Sequence, residues 1–165
     1  MPRDQTTKSS HFAKAALTPI AGATTSTRSP LFASAKLRAM ILGLGSDVCQ
    51  IARVQDYLER FGERFTRRCF SPDEIAYCEK YKNCAEQYAS RLAAKEAAAK
   101  ALGTGFHNGV SWKCFEVCSQ PSGKPVLRIR GRAAELASQI GVTNAHLSLT
   151  HDAGVAFAVV IFEGE

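Results

Sequence analysis

Hydrophobic residues recur at helical spacing just after residue 50. Val54, Leu58 and Phe61 fall on one stripe of a helix, which predicts a helix over residues 51–61. A second helix is predicted from Ser71-Pro72-Asp73-Glu74 to about residue 81, because serine is a preferred N-cap, proline suits the first helical position and glutamate at the third completes a capping box.

An alanine-rich segment then predicts a long helix from about Ala85 to Leu102, with Gly103 just past its end. Glu96 and Lys100 are four residues apart and share a face of this helix, with Ala89 and Ala93 on the same side. The small alanine side chains are expected to leave that face open to a large ligand. The alternative is a surface ion pair worth a few tenths of a kcal/mol.

The remaining patterns alternate as strands do or end at turn signals. Met40 to Asp47 predicts a strand with Gly43, Gly45 and Asp47 on one face, where the missing side chains leave room for a ligand or another backbone. Further elements are predicted as strands over 112–119 and 124–130, a short helix over 133–140, and a hairpin of strands 146–150 and 155–162. Together these elements predict an α+β fold in which a mostly antiparallel sheet is wrapped by the long helix.

Composition separates the chain into two parts. Residues 1–39 hold six of the 21 Lys and Arg residues but one acid, Asp4, so the net charge of +6 belongs mostly to this segment. We expect it to be a disordered basic extension, whether a transit peptide, a product of an upstream start codon or an expression leader. Residues 40–165 form the predicted ordered domain. The whole chain is 45% apolar, and it has no apolar run long enough to span a membrane.

The six cysteines form no CxxC pair, so a zinc site is not favoured. Free thiols and a cytoplasmic location are expected, or an organellar one if residues 1–39 are a transit peptide.

Candidate chemistry centres on Asp47 and Glu96. Two carboxylates can share a hard cation, and Mg²⁺ is usually held by one or two carboxylates plus substrate phosphates, while lysine balances phosphate charge. This combination favours phosphoryl-group chemistry, although no P-loop or kinase motif is present. Two structural alternatives stay open: Asp47 as a helix N-cap and His151 as a turn residue. Trp112 is expected to pack in the core.

Four motifs in fixed order carry a resemblance to a known family. They are Gly45-Ser-Asp47, Arg91-Leu-Ala-Ala-Lys95-Glu96-Ala-x-x-Lys100 with Gly103-Thr-Gly105, Gly123-Lys124-Pro125, and His146-Leu-Ser-Leu-Thr-His151. In this combination the chain resembles the holo-[acyl-carrier-protein] synthases, the small trimeric type of 4′-phosphopantetheinyl transferase. Leu92 replaces an aromatic residue of the family pattern, and residues 1–39 are foreign to the bacterial pattern.

The resemblance implies transfer of phosphopantetheine from coenzyme A to a serine of apo-acyl carrier protein by a homotrimer. Asp47 and Glu96 match the Mg²⁺ ligands, and Glu96, directly or through a metal-held water, is the candidate base beside Lys100. The implied coenzyme A contacts are Lys95, Lys100, Gly103, Gly105, Ser148, Thr150 and His151, the last three from an adjacent subunit. The implied carrier-protein contacts are Arg53, Arg64, Phe65 and Arg68.

Two other hypotheses remain. The alternative within the same chemistry is transfer to a peptidyl or polyketide carrier domain, since the sequence does not determine the choice of carrier. A basic nucleic-acid-binding module is supported by the arginine clusters, but residues 40–165 are nearly neutral and Glu96 stands on the most distinctive helix.

Overall fold

Five strands and five helices make up the part of the chain that the structure, a computed structural model, describes, residues 40–165. The predicted extension over residues 1–39 lies outside the described residues. The strands are β1 (Met40–Gln50), β2 (Phe115–Ser119), β3 (Pro125–Ile129), β4 (Val142–Asp152) and β5 (Val155–Gly164). The helices are α1 (Ile51–Phe61), α2 (Glu63–Cys69), α3 (Pro72–Cys78), α4 (Cys84–Ala101) and α5 (Gly131–Gln139).

Both sheets are antiparallel, which confirms the predicted α+β class. The larger sheet has the order β1-β5-β4, and β2 pairs with β3 in a separate ribbon. Helix α4 lies across the larger sheet, and its alanines form the centre of the hydrophobic core.

The close approach of α4 to the sheet depends on two glycines of β1. A Cβ atom on Gly43 would lie 2.1 Å from the carbonyl oxygen of Ala101, and one on Gly45 would lie 2.0 Å from that of Ala97. The sequence left open whether a ligand or another backbone fills the space beside these glycines. In the structure it is filled by the backbone of α4.

The prediction that the alanine face of α4 is open to a ligand is wrong. Ala89 and Ala93 are fully buried. The small side chains of α4 let the sheet and the neighbouring helices pack closely against it, and no space for a ligand is left there. Burying the methyl groups is favourable because it removes apolar surface from water.

Local boundaries follow the sequence signals with a few differences. The capping box of α3 is confirmed, since the Ser71 amide donates to Glu74 Oε2 at 2.8 Å and the Ser71 hydroxyl accepts from the Glu74 amide. Strand β1 continues to Gln50 and α1 follows at once, with Gln50 at its N-cap. Asp47 therefore lies inside the strand, and the N-cap alternative for it is wrong. Trp112–Cys114 forms a 3-10 turn where a strand start was predicted.

One face of the larger sheet carries exposed apolar side chains. It carries Leu44 and Val48 of β1, 61% and 55% exposed, with Phe157 of β5 at 36%. Alternation along the strands sets these residues opposite the face that packs on α4. Exposed apolar patches of this kind mark interaction surfaces.

Candidate active site

Asp47 and Lys100 form the first contact of the site. Lys100 Nζ donates to Asp47 Oδ1 at 2.8 Å and to the Ser46 carbonyl oxygen at 3.0 Å. The Lys100 side chain is 53% exposed and that of Asp47 is 18% exposed. The carboxylate that Lys100 contacts thus comes from β1 rather than from Glu96 of its own helix, because α4 packs directly on the glycines of β1. The pair faces solvent and can open to a ligand.

Glu96 lies one helical turn before Lys100 and is half-buried. Its Oε1 accepts a hydrogen bond from the indole Nε1 of Trp112 at 3.3 Å. Burial raises the pKa of the Glu96 carboxyl, and the negative charge of Asp47 raises it further, while the Trp112 hydrogen bond and the charges of Lys100 and Arg53 oppose the rise. The site therefore contains two carboxylates that repel each other and a carboxyl that binds protons more readily than usual.

This carboxylate pair fits a hard cation. Among residues 40–165, no three His, Cys, Asp or Glu side chains gather as a metal site. A cation at Asp47 and Glu96 would take its other ligands from a bound phosphate and water, which is how Mg²⁺ is commonly held.

Lys95 does not reach the site, which corrects its prediction as a coenzyme A contact. Its side chain is fully buried. The ammonium donates to Glu74 Oε2 at 2.8 Å and to the carbonyl oxygens of Phe115 and Trp112 at 2.6 and 3.1 Å. Neighbours on a helix point about 100° apart, so Lys95 enters the core while Glu96 faces the site.

A cavity of about 520 Å³ opens beside Glu96. It brings together three of the predicted carrier contacts, Arg53, Phe65 and Arg68, with the candidate base. The fourth, Arg64, lines an adjoining cleft with Phe61, Phe65 and Arg68. The remaining side chains of the larger cavity are those of Tyr57, Cys69, Leu92 and Trp112. Basic and aromatic groups therefore surround the approach to Glu96.

Trp112 is the residue of this cavity that sequence reasoning missed. It packs against the core, as expected, but it is half-buried and also contacts Glu96. A separation of 16 residues through a loop gives no periodic signal that could have paired them.

The predicted β4 residues lie at a different place on the same chain. Asp47 pairs with Ala158 of β5, which in turn pairs with Leu149 of β4. With strands about 4.8 Å apart, β4 is roughly 10 Å from β1 across the sheet. Ser148 and Thr150 are exposed there, and the structure does not bring them to Glu96.

His151 lines a second cavity of about 180 Å³ with Arg91 and Tyr77. Arg91 is 3% exposed, its guanidinium lies 3.9 Å from the centre of the Tyr77 ring, and its Nε has no hydrogen-bond partner among the described residues. His151 Nε2 is 3.8 Å from a carboxylate oxygen of Glu86, so the turn alternative does not describe all of its surroundings. The positive charge of the Arg91 guanidinium at this cavity favours an anion there. Arg91 is the first residue of the helical motif, but nothing in the sequence shows that its side chain is buried.

Gly103 and Gly105 end α4 and both have positive φ, +76° and +56°. The Gly103 amide donates to the Lys100 carbonyl oxygen at 3.0 Å, and the Gly105 amide donates to that of Ala99 at 3.2 Å. Their position next to Lys100 follows from this helix end, and a contact with coenzyme A stays a prediction.

All six cysteine thiols are free, as expected. In residues 40–165 no helix has the length and apolar character needed to cross a membrane.

Comparison with known proteins gives a consistent result. A family model described as the 4′-phosphopantetheinyl transferase superfamily matches residues 43–160. The holo-[acyl-carrier-protein] synthase of Solibacter usitatus is 48% identical over 124 residues, which cover 75% of this chain and 99% of the relative. That of a Methylobacterium species is 50% identical over 128 residues, covering 75% and 95%. The crystal structure of the Helicobacter pylori holo-[acyl-carrier-protein] synthase in complex with coenzyme A matches with a TM-score of 0.65 at 30% identity, covering 72% of this chain and 98% of that one.

Proposed function

The chain belongs to the 4′-phosphopantetheinyl transferase superfamily, and from that premise we propose how its site performs the transfer. The protein moves the 4′-phosphopantetheine group of coenzyme A to a serine of apo-acyl carrier protein and releases adenosine 3′,5′-bisphosphate. The observation that carries the assignment of the site is the Asp47–Lys100 pair next to Glu96, at a cavity lined by arginines.

Glu96 is the base of the reaction. The carrier serine oxygen attacks the phosphorus atom that bears pantetheine, a new P–O bond forms, and the P–O bond to the adenosine bisphosphate breaks. Glu96 takes the serine proton, and its raised pKa brings it closer to the pH at which a general base is most effective. The bisphosphate leaves with the electron pair of the broken bond.

Lys100 binds the pyrophosphate. Because its side chain is half-exposed and already contacts a carboxylate, it can turn toward a phosphate oxygen without burying a new charge. Asp47 and Glu96 would hold Mg²⁺. When bound, that ion would neutralise charge on the pyrophosphate and on the leaving oxygen.

The nucleotide part of coenzyme A binds in the second cavity. The positive charge of Arg91 and the imidazole of His151, which both line this cavity, suit a phosphate there. Ser148 and Thr150 are on the same strand as His151 but alternate to its other face. Since this cavity and the Glu96 site lie apart on one chain, a complete site requires the cavity of one subunit to meet the Glu96 site of another.

A homotrimer provides that arrangement. The exposed apolar face with Leu44, Val48 and Phe157 supports association through the larger sheet, because it would otherwise leave these side chains in water. Three copies around one axis form a closed assembly in which every subunit buries this face.

The acidic carrier docks on the basic cleft. Arg64 and Arg68 line this cleft together with Phe65, which places positive charge beside an apolar contact. Opposite charges steer association and set its orientation. The cleft adjoins the Glu96 cavity, so a docked carrier would present its serine near the base.

The test is incubation of the purified chain with coenzyme A, Mg²⁺ and an apo-acyl carrier protein, followed by mass spectrometry of the carrier. We expect a mass gain of one phosphopantetheine that is lost with chelator and with a carrier whose serine is replaced by alanine. A peptidyl carrier domain run in parallel measures carrier choice. No mass gain on either carrier, together with salt-sensitive binding of an oligonucleotide, would support the nucleic-acid alternative instead.

A further inference from the structure

Trp112 contacts the candidate base with its side chain and the core with its main chain. It is the single tryptophan of the sequence. Its indole Nε1 donates to Glu96 Oε1 at 3.3 Å, and its ring stacks on Phe106 with centroids 4.5 Å apart and an interplanar angle of 29°. The stacking restricts the orientation of the ring and therefore the direction of the N–H.

The main chain at Trp112 is held by a buried charge. Lys95 Nζ donates to the Trp112 carbonyl oxygen at 3.1 Å, and the same ammonium is paired with Glu74 at zero exposure. Such groups do not move freely, because a buried ammonium that loses a partner is left without water to replace it. Adjacent residues of α4 thus hold the main chain and the side chain of Trp112.

We propose that Trp112 is the positioning residue of Glu96: its indole N–H fixes one carboxylate oxygen, so that the other is directed to the cavity where the reaction takes place. This inference rests on the proposed role of Glu96. It also gives Lys95 a function without ligand contact, since Lys95 fixes the main chain from which the indole extends. A carboxylate held by one rigid donor is oriented before substrate binds.

The first arm of the test observes the contact itself. In protein labelled with ¹⁵N at tryptophan, the single indole N–H gives one resonance without any ligand or metal. Glu96→Gln should shift this resonance clearly, whereas Glu59→Gln on α1, an exposed carboxylate, should leave it in place. An indole resonance that does not respond to Glu96→Gln overturns the proposal, whatever the enzyme does in an activity assay.

The second arm measures turnover. Trp112→Phe keeps an aromatic ring against Phe106 and the main-chain contact with Lys95 but removes the N–H. We expect kcat to fall about tenfold, the usual scale for losing a hydrogen bond to a charged group, with the KM values for coenzyme A and carrier within about threefold of the parent. Tyr81→Phe, which removes an exposed aromatic hydrogen-bond donor outside the Glu96 cavity, is the matched control and should retain most of kcat.

The outcomes separate this inference from the proposed function. Equal kcat values for Trp112→Phe and the parent, in folded protein, overturn the positioning role while the proposed function stands. If the parent does not modify a carrier at all, the proposed function fails, and the indole resonance alone decides whether Trp112 positions Glu96.

Discussion

Replacing Lys95 with methionine should destabilise the fold, because its ammonium is fully buried and paired inside the core. Methionine has nearly the length of lysine and keeps the apolar packing, but it removes the ammonium that contacts Glu74 and two carbonyl oxygens. The Glu74 carboxylate then stays buried with only its amide donors from Ser71 and Val117. Removing one partner of a buried ion pair costs about 3–5 kcal/mol.

The two amide hydrogen bonds that Glu74 retains favour the lower end of that range, about 3 kcal/mol. This is a large part of the roughly 5–15 kcal/mol by which a domain is stable. We expect the melting temperature to fall by about 10 °C. The measurement is thermal and urea unfolding followed by circular dichroism at one fixed protein concentration, because assembly of subunits makes the transition depend on concentration.

Two further variants make the result decisive. Lys82→Met changes an exposed lysine and should unfold within about 0.5 kcal/mol of the parent. The double variant Glu74→Gln with Lys95→Met should recover part of the loss, since the unpaired charge is gone. If Lys95→Met is as stable as Lys82→Met and instead raises the KM for coenzyme A tenfold or more, Lys95 is a ligand contact and the reasoning from burial fails.

Four other predictions follow from the site and the surface. Glu96→Gln should lower turnover at least about a hundredfold, about 2.7 kcal/mol, and a variant with turnover within a few-fold of the parent would exclude Glu96 as base. The variant should lose no stability at neutral pH, because a carboxyl whose pKa is raised by burial costs folding energy once it is charged. As the pH is lowered, the activity of the parent should begin to fall above the ordinary pKa of glutamate. Arg68→Glu should raise the KM for carrier more than that for coenzyme A, in the direction that added salt also acts, and equal effects on both would assign the arginine to the fold or the nucleotide. Val48→Asp should reduce the mass in light scattering from trimer to monomer together with activity, and an unchanged mass would remove the larger sheet from the interface. Residues 40–165 alone should keep most of the specific activity, and a large loss in folded protein would connect residues 1–39 to the site.

The sequence predicted four of the five helices in residues 40–165, all but α2, and a set of candidate site residues, because the signals for them are local. The capping box at Ser71, the alanine-rich composition of α4 and the glycines of β1 act within a few residues. The order of motifs was enough to give the family and to pair Asp47 with Glu96 as a candidate site. The antiparallel hairpin of β4 and β5 was likewise predicted, although β4 begins four residues earlier than expected, at Val142.

The tertiary structure decided which charged residue of α4 is buried in the core and which faces the candidate site. Lys95 and Glu96 are neighbours in sequence, and a helical pattern cannot say which direction will be covered. Elements that lie about 20 residues to either side, α3 with Glu74 and the turn with Trp112, cover Lys95 and leave Glu96 at the cavity. The same holds for Arg91, whose depth depends on Tyr77 and on the strand that carries His151. Burial arises from contacts between distant segments, so only the folded chain determines it.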